Sequence, residues 1–176
     1  TEVNQVVHEQ KVLGVDGKPT WLEITATAIK DEAGNVTSVL EMAIDITERK
    51  KTEIALSDKE KRFRAIFDRS FQFAIILDNN GNVLEMNDLC YAVHGPLAEG
   101  CVGKPFWEAA WWSQFPEVAE KTKLAIQSCQ MGKNVHDEAR FSDKDSQIHQ
   151  GTRIFSPIAD ENGKLLYISV VGLDIS

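Results

Sequence analysis

The end of this chain repeats its beginning at a fixed separation of 129 residues, and that repeat limits the fold more than any other feature. Asp31-Glu32-Ala33-Gly34 lies over Asp160-Glu161-Asn162-Gly163, Ile29 over Ile158, and Asp45-Ile46-Thr47 over Asp174-Ile175-Ser176. Gly supplies the positive φ of a tight hairpin, and Asp and Asn brace turns through their side chains. Residues 20–30 and 36–46 therefore read as one hairpin, and 148–158 and 164–175 as its copy. A further strand precedes each, Val3 to Leu13 in the first copy and Lys133 to Phe141 in the second, so each copy ends in three antiparallel strands.

Alternation along 148–158 sets Ile148, Thr152, Ile154 and Ile158 on one face, the expected apolar row, and His149, Gly151, Arg153 and Phe155 on the other. Leu165 to Val171 is nearly all apolar, which predicts burial on both faces. Between the copies, residues 47–70 hold no Gly or Pro and are rich in helix formers. Leu56, Phe63, Ile66 and Phe67 form a sparse stripe at helical spacing. One continuous helix is expected, with Thr47 as its cap. Phe73–Asp78 and Asn82–Asn87 read as a hairpin around Asn79-Asn80-Gly81. Short helices then break at Gly95-Pro96, Gly100 and Gly103, and a longer one runs from Pro116 to Met131, stopped by Gly132. A five-stranded antiparallel sheet covered by helices satisfies this order, an α+β fold.

The net charge of −8 disfavours nucleic acid, whose binders need a basic surface. No stretch is long and apolar enough to span a bilayer. Cys90, Cys101 and Cys129 have neither disulfide nor zinc spacing and fit a reducing compartment as buried thiols. His8-Glu9 sits in a strand-like stretch and reads as exposed surface. Asp143, Asp145 and Asp160 are loop carboxylates without metal-ligand spacing. No Gly-rich phosphate loop, His-Glu-x-x-His or Gly-x-Ser-x-Gly occurs, so the segment is not expected to be an enzyme or to hold a metal. The chain opens on Thr1, and a longer protein is expected around it.

Four segments carry a family resemblance: Asp45-Ile46-Thr47-Glu48-Arg49-Lys50-Lys51; Phe63-Arg64-Ala65-Ile66-Phe67-Asp68; Ile75 through Asn87; and Gly103-Lys104-Pro105-Phe106 with the closing Asp174-Ile175-Ser176. In this order they resemble the PAS family over nearly the whole chain. His94-Gly95 departs from the usual Gly-Tyr pair. The resemblance implies a PAS fold with helices on one face of the sheet. Residues 1–47 become the last strands of an upstream PAS domain, 48–69 a connector helix, and 63–176 a complete PAS domain. It further implies a cytoplasmic input and dimerisation module of a sensor protein, paired as a homodimer and followed in the same chain by an output domain such as a histidine kinase. A ligand-free interaction spacer is the alternative.

A photosensing flavin (LOV) member needs a cysteine where this chain has Phe106, so covalent flavin chemistry is not expected. Cys101 lies on the wrong side of Gly103. Noncovalent flavin, haem or no cofactor stay open. Trp107 and Trp111, four apart on one expected helix face, would line a ligand pocket with Phe106 or else pack as core. Asn87, His94 and Arg153 complete the candidate ligand set. His94 is expected at a turn or surface, and Arg140 and Arg153 on exposed strand faces. Asp45 and Thr47, with their copies Asp174 and Ser176, are the expected relay residues at the strand exits.

Overall fold

The computed structural model describes residues 5–176; the expected strand start at Val3 lies outside them. The chain divides into two units, one ending at Arg62 and one spanning Phe63–Ser176. In the first, β1 (Gln5–Leu13), β2 (Pro19–Lys30) and β3 (Val36–Asp45) form an antiparallel sheet in that order. The helix α1 (Thr47–Asp68) follows without a break, as the absence of Gly and Pro predicts.

The second unit holds β4 (Phe73–Asp78), β5 (Val83–Met86), α2 (Asp88–His94), α3 (Pro96–Glu99), α4 (Pro116–Gln130), β6 (Val135–Ser142), β7 (Ile148–Ala159) and β8 (Leu165–Asp174). The sheet order is β5-β4-β8-β7-β6, all antiparallel. This is the expected five-stranded α+β fold. No helix among the described residues is long and apolar enough to cross a membrane.

The repeat holds at the level of single atoms. Val6 pairs with Ala26 as Val135 pairs with Phe155, and Ile24 with Ala43 as Arg153 with Gly172. Both copies bulge after the same residue, Ile29 and Ile158. At each hairpin an aspartate Oδ1 accepts two backbone N–H groups, those of Ala33 and Asn35 at Asp31, and of Asn162 and Lys164 at Asp160. Asp143 and Asp78 brace their turns in the same way. Of the loop carboxylates, Asp143 and Asp160 are thus turn braces, and Asp145 contributes only its backbone N–H to the Asp143 brace.

The two faces of β7 are the reverse of the sequence expectation. Gly151, Arg153 and Phe155 are buried, whereas Ile148, Ile154 and Ile158 are exposed. The core side packs against α4, whose Thr122 hydroxyl accepts from Arg153, and it takes a glycine and a paired arginine among its rings. β8 is likewise buried on one face only. Ile168 and Val170 point into the core, while Tyr167 and Leu173 on the other face are exposed. The stripe on α1 buries only Phe67; Leu56 and Ile66 are exposed.

Candidate functional site

The core lies between the sheet and the helices, and aromatic rings dominate it. Phe106, Trp111, Phe155 and Phe141 are buried. Trp107 and Trp111 do not share one helix face. Phe106–Glu108 and Ala110–Trp112 are separate 3-10 turns, broken at the extended Ala109. The break sends Trp111 into the core and leaves Trp107 beside Ile126 over the turn at Gly81, where a Cβ would meet the Trp107 ring at 3.0 Å. Gly81 has φ +88°, so both its conformation and its neighbours require glycine.

A small cavity of about 40 Å³ lies within this core, lined by Phe73, His94, Phe106, Trp111, Phe141 and Arg153, among others. That is room for about three water molecules, far below the roughly 300 Å³ of a typical ligand pocket. Trp107 and Asn87 do not line the cavity.

His94 is buried, not at the surface. Its Nδ1–H donates to the carbonyl of Ser142 at 3.2 Å, and its ring stacks on Trp111 at 4.2 Å. Burial pushes its pKa down to about 4 against the weaker raising pull of Ser142 and Asp143, so the ring is neutral at pH 7. Arg153 is also buried, correcting the expected exposed arginine. Its Nε and one terminal nitrogen donate to both Asp137 oxygens, at 2.9 and 2.5 Å. The other terminal nitrogen donates to Thr122 Oγ1 at 2.8 Å, and the guanidinium lies over Trp112 and Phe155. Each guanidinium nitrogen thus has a hydrogen-bond partner, and Asp137 neutralises the charge. Arg140 is exposed and pairs with Glu117.

Asn87 is fully buried and structural. Its Oδ1 accepts from Ala74 N and Cys90 N, and its Nδ2 donates to the Gln72 carbonyl, fastening the start of β4 to the start of α2. Burial raises the thiols of Cys90, to about 12, and of Cys101 and Cys129, which disfavours thiolate chemistry.

The relay residues occupy two copies of one latch. In the first, Asp45 Oδ1 accepts from Thr47 N at 2.8 Å, Thr47 Oγ1 accepts from Trp21 N at 2.9 Å, and Ile46 N donates to Trp21 O at 2.8 Å. In the second, Asp174 Oδ1 accepts from Ser176 N, Ser176 Oγ from Gln150 N, and Ile175 N donates to Gln150 O, at 2.9, 2.9 and 2.8 Å. Thr47 is therefore not a side-chain cap of α1; its hydroxyl ties the helix root to β2. Asp174 also meets His149 Nδ1 at 2.9 Å, a partner the sequence reading missed. Burial raises its carboxyl, but the hydrogen bonds from Ser176, with a smaller part from His149, together hold it below the usual range. At Asp143, too, burial raises the carboxyl less than hydrogen bonds from Gln147, His149 and Asp145 lower it.

Comparison with known proteins agrees with this architecture. A family model described as the PAS fold matches residues 1–51 and 67–176. The sensor histidine kinase TmoS of Ectopseudomonas mendocina is 30% identical over 102 residues, 57% of this chain and 10% of that protein. Hybrid signal transduction histidine kinase D of Dictyostelium discoideum is 27% identical over 102 residues, covering 57% of this chain and 7% of its own length. The chain thus spans a tenth or less of these relatives. Among solved structures, the PAS domain of an HTR-like protein from Haloarcula marismortui superposes with a TM-score of 0.57 at 20% identity, over 72% of this chain and 99% of that one. Both halves of the repeat fall within the matched family model, and the chain belongs to the PAS family, whose domains are typical of sensory signal-transduction proteins.

Proposed function

We propose that this chain is a non-catalytic input segment of a sensor protein, which turns a change in the sheet–helix core into a change at the strand exit. The observation that carries this reading is the duplicated latch. In its first copy the Asp-Ile-Thr hydrogen bonds sit at the root of a helix, and Asp174-Ile175-Ser176 rebuilds them atom for atom. A helix leaving such a latch would be biased by small shifts of β7 and β8, which border the cavity. An output domain in the same chain, such as a histidine kinase, would read that bias in a homodimer. The kinase relatives support this, and the exposed Ile154, Ile158, Tyr167 and Leu173 on the outer sheet face offer an apolar surface to a second copy. Asp174→Ala in the full-length sensor is expected to abolish stimulus-dependent output while lowering the unfolding free energy of the domain, read from urea titration, by less than about 1 kcal/mol. Wild-type output from that variant would sink the reading.

The cavity volume favours a compact occupant, or none, over flavin or haem. With none, the chain would be an interaction spacer, a reading favoured by the ring-filled core. Mass spectrometry of what denaturation releases from the purified protein separates the two. The sensory reading expects a stoichiometric molecule of few heavy atoms; a clean blank, with no stabilisation by any small molecule screened, supports the spacer.

A further inference from the structure

Nothing in the sensory reading uses His149, which sits where three parts of the second unit meet. Its Nδ1 lies 2.9 Å from Asp174 Oδ2 at the latch, and its Nε2 lies 3.3 Å from Asp143 Oδ2 in the turn between β6 and β7. Its ring lies flat on Phe141, centroids 5.2 Å apart at 15°. Phe141 borders the cavity and presents its edge to His94 and Phe73. The titratable groups facing His149 are therefore Asp174 at the end of β8, Asp143 in the turn, and His94 of α2 beyond the Phe141 ring. The position equivalent to His149 in the first copy is Thr20, so the Asp45 latch has no imidazole.

The chemistry of the two contacts differs with protonation. An ionised carboxylate only accepts hydrogen bonds. Imidazolium has an N–H on each nitrogen and donates to both aspartates. Neutral imidazole has a single N–H; its other nitrogen turns a lone pair toward an oxygen that also carries lone pairs.

We propose that His149 is a proton-operated clamp on the exit latch: doubly protonated it ties Asp174 to Asp143, and on losing one proton it has a single N–H for two carboxylates and loosens its hold on Asp174. Release changes what holds the Asp174 carboxylate, whose other oxygen fixes Ser176 N. The stack on Phe141 gives the same ring a direct contact with the cavity wall, so a cavity change and a proton act on one latch. The proposal rests on the latch being the signal exit, but its test reads the latch directly.

The test is an NMR pH titration of the 176-residue chain, carried through the change of charge of the His149 ring. Ring nitrogen shifts of His149 and the backbone amides of Ser176, Gln150, Thr47 and Trp21 would be followed. The Ser176 and Gln150 amides are expected to move in step with the His149 ring, and those of Thr47 and Trp21 to stay still. His149→Gln should abolish the Ser176 movement. Asp143→Asn should also abolish it, because the asparagine amide can donate to a neutral Nε2 and leave Nδ1–H on Asp174 at every pH. This second variant keeps the histidine should the first not fold. A Ser176 amide that is stationary while His149 titrates, or that moves equally in Asp143→Asn, overturns the clamp. Either result is independent of whether Asp174→Ala uncouples the full-length sensor.

Discussion

Arg153→Ala is expected to lower unfolding free energy by about 3–5 kcal/mol, read as a fall in the urea midpoint at unchanged slope. The Arg153 side chain is only 6% exposed and Asp137 18%, so the surviving carboxylate would stay largely out of water with no cation beside it. Thr122 would lose the donor to its hydroxyl, and Trp112 and Phe155 the guanidinium packed against them. A domain of this size has roughly 5–15 kcal/mol in all, so the loss is a large share of the total. Asp137→Ala should cost a similar amount, since it strands the arginine instead. The double variant Arg153→Met with Asp137→Leu should recover most of the loss, because an apolar pair of similar volume avoids the desolvation cost. A loss of less than about 1 kcal/mol in Arg153→Ala would show that water reaches the pair and that the core is looser than its geometry. Equal losses in the single and double variants would show that packing, not charge pairing, is what Arg153 supplies.

The same residue shows where sequence reading stops. Hairpins, helix α1 and the five-strand order were legible because Asp-x-x-Gly turns and Gly/Pro breaks act locally, and because each half of the repeat checks the other. Which face of β7 is inside was not legible. Alternation separates two faces but does not say which is covered, and isoleucines at 148, 154 and 158 looked like the covered row. The corrective signal was cross-strand: Asp137 is paired with Arg153 in the β6–β7 register, a charge pair that makes an inward arginine affordable. Trp107 and Trp111 were separated by a change from α to 3-10 geometry around an ordinary alanine, which leaves no mark in the sequence. The relay residues were legible because the latch is local and occurs twice. His149 was missed because Asp174, at the end of β8, reaches it only when the sheet forms.

Stability of the second unit is expected to fall as pH drops from about 6.5 to 4, by on the order of 3 kcal/mol, through His94. The folded pKa of about 4 is below the value of 6.5 for a free histidine, because protonation would charge a ring buried between Trp111 and Phe73. The unfolded chain therefore binds more protons in this window. Stabilisation is complete above 6.5, declines as the unfolded histidine protonates, and levels off once pH passes below the folded value. Asp143, Asp174, Asp78 and Glu117 have carboxyls held below their ordinary values, so their contributions fade as pH falls through and below about 4, at the acid edge of the His94 window. Urea midpoints at half-unit steps would trace the curve. His94→Phe keeps an aromatic ring between Trp111 and Phe73 and gives up only the donor to Ser142 O, so it should be destabilised by about 1–2 kcal/mol at pH 7 yet lose the slope between 6.5 and 4. Its curve should approach or cross that of the wild type near pH 4, where the native ring must carry a charge. A wild-type slope that survives in His94→Phe would assign the acid sensitivity to other groups and mean that His94 takes up its proton without disturbing the rings around it.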